Sequence, residues 1–228
     1  MKTILVYDGS LQGFLTAVYE VFERNIKSVS ILRQKHLTPE IFNDIQEVVT
    51  DSEKARRVWE SLKLKAGKER VKEMYLTHLS EFKGAEDIML GFIVHVYASE
   101  HFDKNDQTNI YANRIHQAAN IVNRQIQRMK EFISFQLGRD GVYWATVSPD
   151  YNILPVLSEH FVKTFDEQRW VIYDEKRSYG IYYDTEKCLQ ISAPVFRSIN
   201  QKEEHLLPVN IPEAKTTNGI PGMIRPEA

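Results

Sequence analysis

The chain has 228 residues, 43% of them hydrophobic and 26% charged, with a formal net charge of −2. That is the make-up of a globular protein long enough to bury a full core, and it lacks the global basic excess that draws a whole domain onto nucleic acid. One cysteine, Cys188, excludes an internal disulfide framework and fits a reducing, cytoplasmic setting.

The opening run Ile4 to Tyr7 reads as a buried strand that stops at Asp8-Gly9-Ser10, where a helix with Phe14, Leu15, Val18, Tyr19 and Phe22 on one face begins. The turn invites three readings: a phosphate cradle, a nucleophile elbow, or a capped bend. The glycines Gly9 and Gly13 do not make G-x-G-x-x-G, and the positions two either side of Ser10 are Asp8 and Gln12 rather than glycines. A bend capped by Ser10 is the simplest of the three. Nothing here has the form of a signal peptide, and the longest apolar stretch, residues 88 to 98, is too short to cross a bilayer. No membrane association is therefore expected.

Ser28 to Leu32 predicts a second strand, parallel to the first across a helical crossover. Beyond an irregular region around Pro39, Gln46 to Val49 reads as a brief strand. Thr50 and Glu53 have capping-box spacing ahead of a helix with Ala55, Val58, Trp59 and Leu62 on its apolar side. Helical pattern continues over 70–82 after Gly67, and again over 86–100, which is apolar all round and so expected to be enclosed. Polar residues 103–109 form a loop, and 110–130 a long helix.

From Phe132 the pattern turns to strands. Phe132–Phe135 and Val142–Val147 flank a turn at Gly138–Gly141, 154–165 is a short helix, and Trp170–Tyr173 with Gly180–Tyr183 forms a hairpin. Leu189–Ser192 adds an edge strand. Residues 198–228, with four prolines and no Phe, Tyr or Trp, read as a flexible tail. The fold class is thus α+β: an N-terminal β-α-β portion over 1–80, a helical middle, and a mixed or antiparallel C-terminal sheet within 81–197.

Residues 107–130 contain no Asp or Glu, while Arg114, Arg124, Arg128 and Lys130 are cationic. On a helical wheel Ile115, Ala118, Val122, Ile126 and Met129 share one side, and Arg114, Gln117, Arg124, Gln125 and Arg128 cluster on the adjoining arc. Guanidinium forks suit phosphate, and glutamine reaches phosphate oxygens or base edges. The competing reading is a solvated face whose arginines pair with acids from elsewhere in the fold. A second group, His160 with Arg169 and Asp174, has the residue types for acid–base or anion-binding work, against the simpler reading of a packed histidine and a cross-sheet ion pair. His95 and His101 do not share a helical face and Cys188 has no second thiol, so neither a metal site nor a cofactor is expected. The aromatics Tyr143, Trp144, Tyr151, Trp170, Tyr173, Tyr182 and Tyr183 are stacking candidates, about half of them core on alternating strands.

Two stretches carry a family resemblance: VYDGSLQGFLTAVYEVF at residues 6–22, and the body from RMKEFISF at 128–135 through to Asp184. Together they resemble DNA metabolism proteins that carry a domain of unknown function, DUF4130. The resemblance implies a DNA repair or modification role beside a radical S-adenosylmethionine protein, and covers nearly all of residues 1 to 195. This chain departs from the family pattern where an acid, a histidine and an arginine are usual, having Gln125, Gln127 and Ser134. A DNA-binding accessory component follows, with Arg114, Arg124, Gln125, Arg128, Lys130 and Arg169 contacting nucleic acid. The alternatives are a nucleic-acid hydrolase (nuclease or glycosylase-like) using Asp8, His160 and Asp174, or a protein-binding scaffold.

Overall fold

The computed structural model describes residues 2–37, 44–99, 102–103, 108–138, 140–192 and 207–208. The protein is α+β, and its chain divides into two compact units, residues 1–122 and 123–228.

In the first unit, β1 (Thr3–Tyr7), α1 (Leu11–Glu23) and β2 (Val29–Arg33) make the expected parallel pair, with Thr3 opposite Val29 and Tyr7 opposite Arg33. A third strand, β3 (Asp44–Glu47), lies parallel on the other side of β1, so the sheet order is β2-β1-β3. It sits two residues earlier than the sequence pattern places it. The central strand is apolar on both faces because both are covered, and Ile4, Leu5, Val6 and Tyr7 are all buried. Around it pack α2 (Ser52–Ala66), α3 (Lys68–Ser80) and α4 (Ala85–Ala98). Met89, Phe92, Ile93 and Val96 of α4 are fully buried, and only Val94 among its large apolar side chains is well exposed.

The predicted capping box is displaced by one residue. Asp51, not Thr50, caps α2 by accepting from the Glu53 and Lys54 amides at 2.9 and 3.0 Å. The Thr50 hydroxyl is taken up elsewhere, donating to Asp8 Oδ2 at 2.9 Å. The irregular region around Pro39 and most of the predicted 103–109 loop lie outside the described residues.

The unit boundary falls within α5 (Ile110–Phe132). The second unit comprises its last turns and the strands β4 (Gln136–Leu137), β5 (Tyr143–Val147), β6 (Trp170–Asp174), β7 (Tyr179–Tyr183), β8 (Cys188–Ser192) and β9 (Leu207–Pro208). They form one sheet in the order β8-β7-β6-β5-β4-β9. The strand predicted at Phe132–Phe135 is instead the end of α5 and a connector, because Ile133 N still donates to Met129 O at 3.0 Å and carries the helical turn onward. Within the predicted 198–228 tail, Leu207 and Pro208 pair antiparallel with β4; the rest lies outside the described residues.

Strands β5 and β6 are parallel, joined through α6 (Leu154–Thr164) as a second β-α-β unit inside an otherwise antiparallel sheet. Every residue of β6 is buried. On one face Trp170 meets Phe161 of α6 at 6.2 Å between ring centroids, and Phe161 stacks on Phe165 at 5.8 Å. Val171 joins Val142, Trp144 and Ile191 in a separate apolar cluster. Close approach of strands explains Gly180: a Cβ there would lie 2.9 Å from the Ile172 carbonyl oxygen. Gly180→Ala is therefore expected to cost about 1–3 kcal/mol through overpacking, read as a lower urea midpoint with an unchanged m-value.

Candidate nucleic-acid interface

Helix α5 is amphipathic as its sequence indicates. Ile115, Ala118, Ala119, Val122 and Ile126 are buried, while Arg114, Arg124 and Arg128 are exposed. None of these three arginines makes an ion pair or side-chain hydrogen bond among the described residues. Elsewhere exposed guanidinium groups are engaged: Arg56 and Arg57 reach Glu53 at 2.7 and 3.1 Å, and Arg24 donates to Gln46 at 2.7 Å. Arg114 lies in the first unit's part of α5, and Arg124 and Arg128 in the second's.

Gln125 has a structural task. Its Nε2 donates to Asp150 Oδ2 and its Oε1 accepts from the Tyr151 amide, both at 3.1 Å, clipping α5 to the loop between β5 and α6. Lys130, half-buried, brings positive charge toward α6. Burial, then the charges of Lys130 and Lys163, holds His160 below its ordinary pKa. Burial also pushes Glu159 up to about 7, opposed by Lys163 and Lys130. The last turns of α5 and α6 therefore place two ammonium groups around a neutral imidazole and a carboxyl that titrates near neutrality. Arg169 donates to the Asp140 carbonyl at 2.8 Å, bracing the β4–β5 turn from the start of β6.

Asp174 is fully buried and committed. It accepts from Arg177 Nη1 at 2.9 Å and from the Arg177 amide at 3.2 Å, while the same guanidinium donates to the carbonyls of Pro149 and Asp150. This clamp ties the β6–β7 hairpin to the 149–150 turn. Of the aromatic stacking candidates, Trp144, Trp170, Tyr173 and Tyr183 are buried and Tyr143, Tyr151 and Tyr182 half-buried. Cys188 is a half-buried thiol whose pKa burial pushes up to about 11, with Asp184 adding to the shift, so it is a poor nucleophile.

Asp8 belongs to the first unit, His160 and Asp174 to the second. Its Oδ1 accepts from the Ser10 amide and hydroxyl at 2.8 and 2.7 Å, and its Oδ2 from Thr50. Partial burial opposes ionisation, but these bonds win and hold the carboxyl below its usual range. Ser10 in turn caps α1 by accepting from the Gly13 amide at 2.9 Å. A Cβ at Gly13 would run into Asp8 Oδ1. The opening turn is thus a capped bend whose own carboxylate occupies the place a bound phosphate would need.

Sequence reasoning did not find the buried polar network beside that turn. Glu86 Oε1 accepts from the Tyr7 hydroxyl at 2.9 Å and from Arg33 Nε at 2.7 Å. The Arg33 guanidinium also reaches Glu81 at 3.1 Å and the His78 carbonyl at 2.7 Å. Burial and the Arg33 charge lower His78 to about 3, and burial raises the Tyr7 phenol. An open pocket of about 470 Å³ above it is lined by Asp8, Gly9, Arg33, Gln34, Lys35 and Glu81. The only signal in sequence was placement: Arg33 ends an apolar strand and Glu86 opens an apolar helix, so both are carried inward. Among the described residues no group of His, Cys, Asp and Glu could hold a metal ion. No helix there is long and apolar enough to cross a membrane.

A family model described as a domain of unknown function, DUF4130, matches residues 83–210, more than half of the chain. The match begins inside the first compact unit and runs through the second. No curated protein matches the chain.

His78 sets a pH dependence. The unfolded chain takes up a proton near pH 6.5 that folded His78 refuses until about 3. Stability from this group is therefore complete above about pH 6.5 and is lost as pH falls below it. His160, held low as well, acts in the same direction. Urea midpoints at pH 7 and pH 5 should show a smaller loss for His78→Gln than for the unmodified chain.

Proposed function

We propose that the chain, which belongs to the DUF4130 family, is a DNA-binding accessory component of a repair or modification system. The last turns of α5 are its phosphate-contacting surface. One observation carries the reading: Arg124 and Arg128 are exposed, one helical turn apart, and without an anionic partner among the described residues. The rival account of this face needed acids from other elements to close it. Two acids from other elements that reach α5 do not meet these arginines: Glu73 pairs with His116 at 2.7 Å, and Asp150 accepts from Gln125 and lies 3.9 Å from Lys176.

Two guanidinium groups at i and i+4 meet successive phosphates as forks, and Lys130 with Lys163 extends the positive field onto α6. A net charge of −2 makes the attraction local, so the protein docks in one orientation rather than coating the polymer. The radical S-adenosylmethionine partner belongs to the same proposal and rests on the family resemblance. Such a partner supplies the chemistry, and this chain the hold on DNA.

The hydrolase reading has less support. Asp174 is saturated by Arg177, and Asp8 is locked by Ser10 and Thr50.

Titration of labelled DNA at several salt concentrations tests the proposal. Arg124→Glu with Arg128→Glu should lower affinity on the order of tenfold or more, and reduce the log–log salt slope by about 1.5 to 2, since each phosphate contact contributes about 0.7 on a single strand and about 0.9 on a duplex. Arg56→Glu with Arg57→Glu changes charge equally on another surface and should leave both quantities nearly unchanged. Equal losses from the two pairs would reduce the effect to net charge and defeat the assignment.

A further inference from the structure

We infer that the ligand of this surface is single-stranded rather than duplex DNA, with Phe132 as the platform on which an unpaired base stacks. The inference rests on the DNA-binding reading of the same helix face.

Arg124, Arg128 and Phe132 stand at i, i+4 and i+8 of α5, a single ridge along the helix. Successive members rise by about 6 Å, four residues at 1.5 Å each. Phe132 is 70% exposed, at the helix's last residue. It makes no ring contact among the described residues. Its near neighbour Phe135 behaves oppositely, buried against Phe161 and Phe165 at 5.3 and 6.0 Å between centroids. The local core is therefore complete without Phe132.

A phenyl ring left in water costs hydrophobic free energy unless something covers it. Its position, one turn beyond two unpaired guanidinium groups, selects the cover. Paired bases keep their faces inside the stack, so a duplex offers this ring only sugar edges or a thymine methyl. An unpaired strand offers a base face beside every phosphate. A cationic track ending in an exposed aromatic is the arrangement that holds single strands with little regard to sequence. Phe132 would stack a base while Arg128 and Arg124 hold the flanking phosphates. Of the sheet aromatics, Trp144, Trp170, Tyr173 and Tyr183 are buried and Tyr143 and Tyr182 half-buried, so none presents its ring as openly as Phe132.

The test is fluorescence anisotropy of the full chain with one labelled oligonucleotide, single-stranded and annealed to its complement. Variants are Phe132→Ala, Phe132→Trp and the Arg124→Glu/Arg128→Glu pair, each checked for an unchanged thermal midpoint. The single strand should bind more tightly than the duplex. Phe132→Ala should weaken it about 5- to 100-fold, the loss of one stacked base, with duplex affinity and salt slope unchanged. Phe132→Trp should retain single-strand affinity. If Phe132→Ala leaves single-strand binding intact, or weakens both forms equally, the stacking inference is wrong. Loss from the arginine pair alone sinks only this inference. Binding indifferent to the arginine pair sinks the DNA-binding reading with it.

Discussion

The apolar seam of α5 is the constraint on which the proposed binding surface depends. Ile115, Ala118, Ala119, Val122 and Ile126 are buried, which leaves the helix one rotational setting. In that setting Arg124 and Arg128 must face solvent, and Phe132, two turns beyond Arg124, must share their ridge. Rotating the helix to hide Phe132 would expose Ile126 and bury two guanidinium groups, each at several kcal/mol. The cationic face is thus enforced by packing; residues 107–130 contain no Asp or Glu, and Glu131, three residues beyond Arg128, is the one carboxylate of α5.

Charges in the first unit show the contrast. Arg33, Glu86, Glu81, His78 and Tyr7 close on one another through hydrogen bonds that centre on the Arg33 guanidinium and Glu86 Oε1. Breaking one member leaves an uncompensated buried charge, which costs about 3–5 kcal/mol. The network anchors β1 and β2 to α3 and α4. Asp8 and Thr50 do the same between the β1 turn and the entry to α2. These closed groups hold the fold, whereas Arg124 and Arg128 have no ion-pair partner among the described residues.

Much of this was legible in the residues. Buried strands β1 and β6 announce themselves as apolar runs, and Gly67 and Gly84 mark breaks that their positive φ angles of 86° and 83° confirm. The amphipathic pattern of α5 located both seam and cationic arc. The misses share a cause, competition between distant partners. Thr50 lost its capping role because Asp8, 42 positions away, claims its hydroxyl. Gln125 and Asp174 look available in sequence, but Asp150 and Arg177 take them up. Phe132 read as a strand residue because F-I-S-F is rich in aromatic and β-branched side chains that favour strands, whereas the turn continued by Ile133 keeps it helical. The parallel pairing of β5 and β6 was hidden for a similar reason: a crossover of one short helix looks, locally, like a hairpin connection with an insertion.

Gln125 and Gln127 stand in the last turns of α5. Here Gln125 clips a loop through its amide, a task that needs no ionisable group. The most direct measurement is arginine-selective modification with a dicarbonyl reagent, read by peptide mass spectrometry with and without single-stranded DNA. Arg124 and Arg128 should react readily in the free protein and be shielded when DNA is bound, while Arg56 and Arg57 react alike in both states. Unchanged reactivity of Arg124 and Arg128 under saturating DNA would contradict the account.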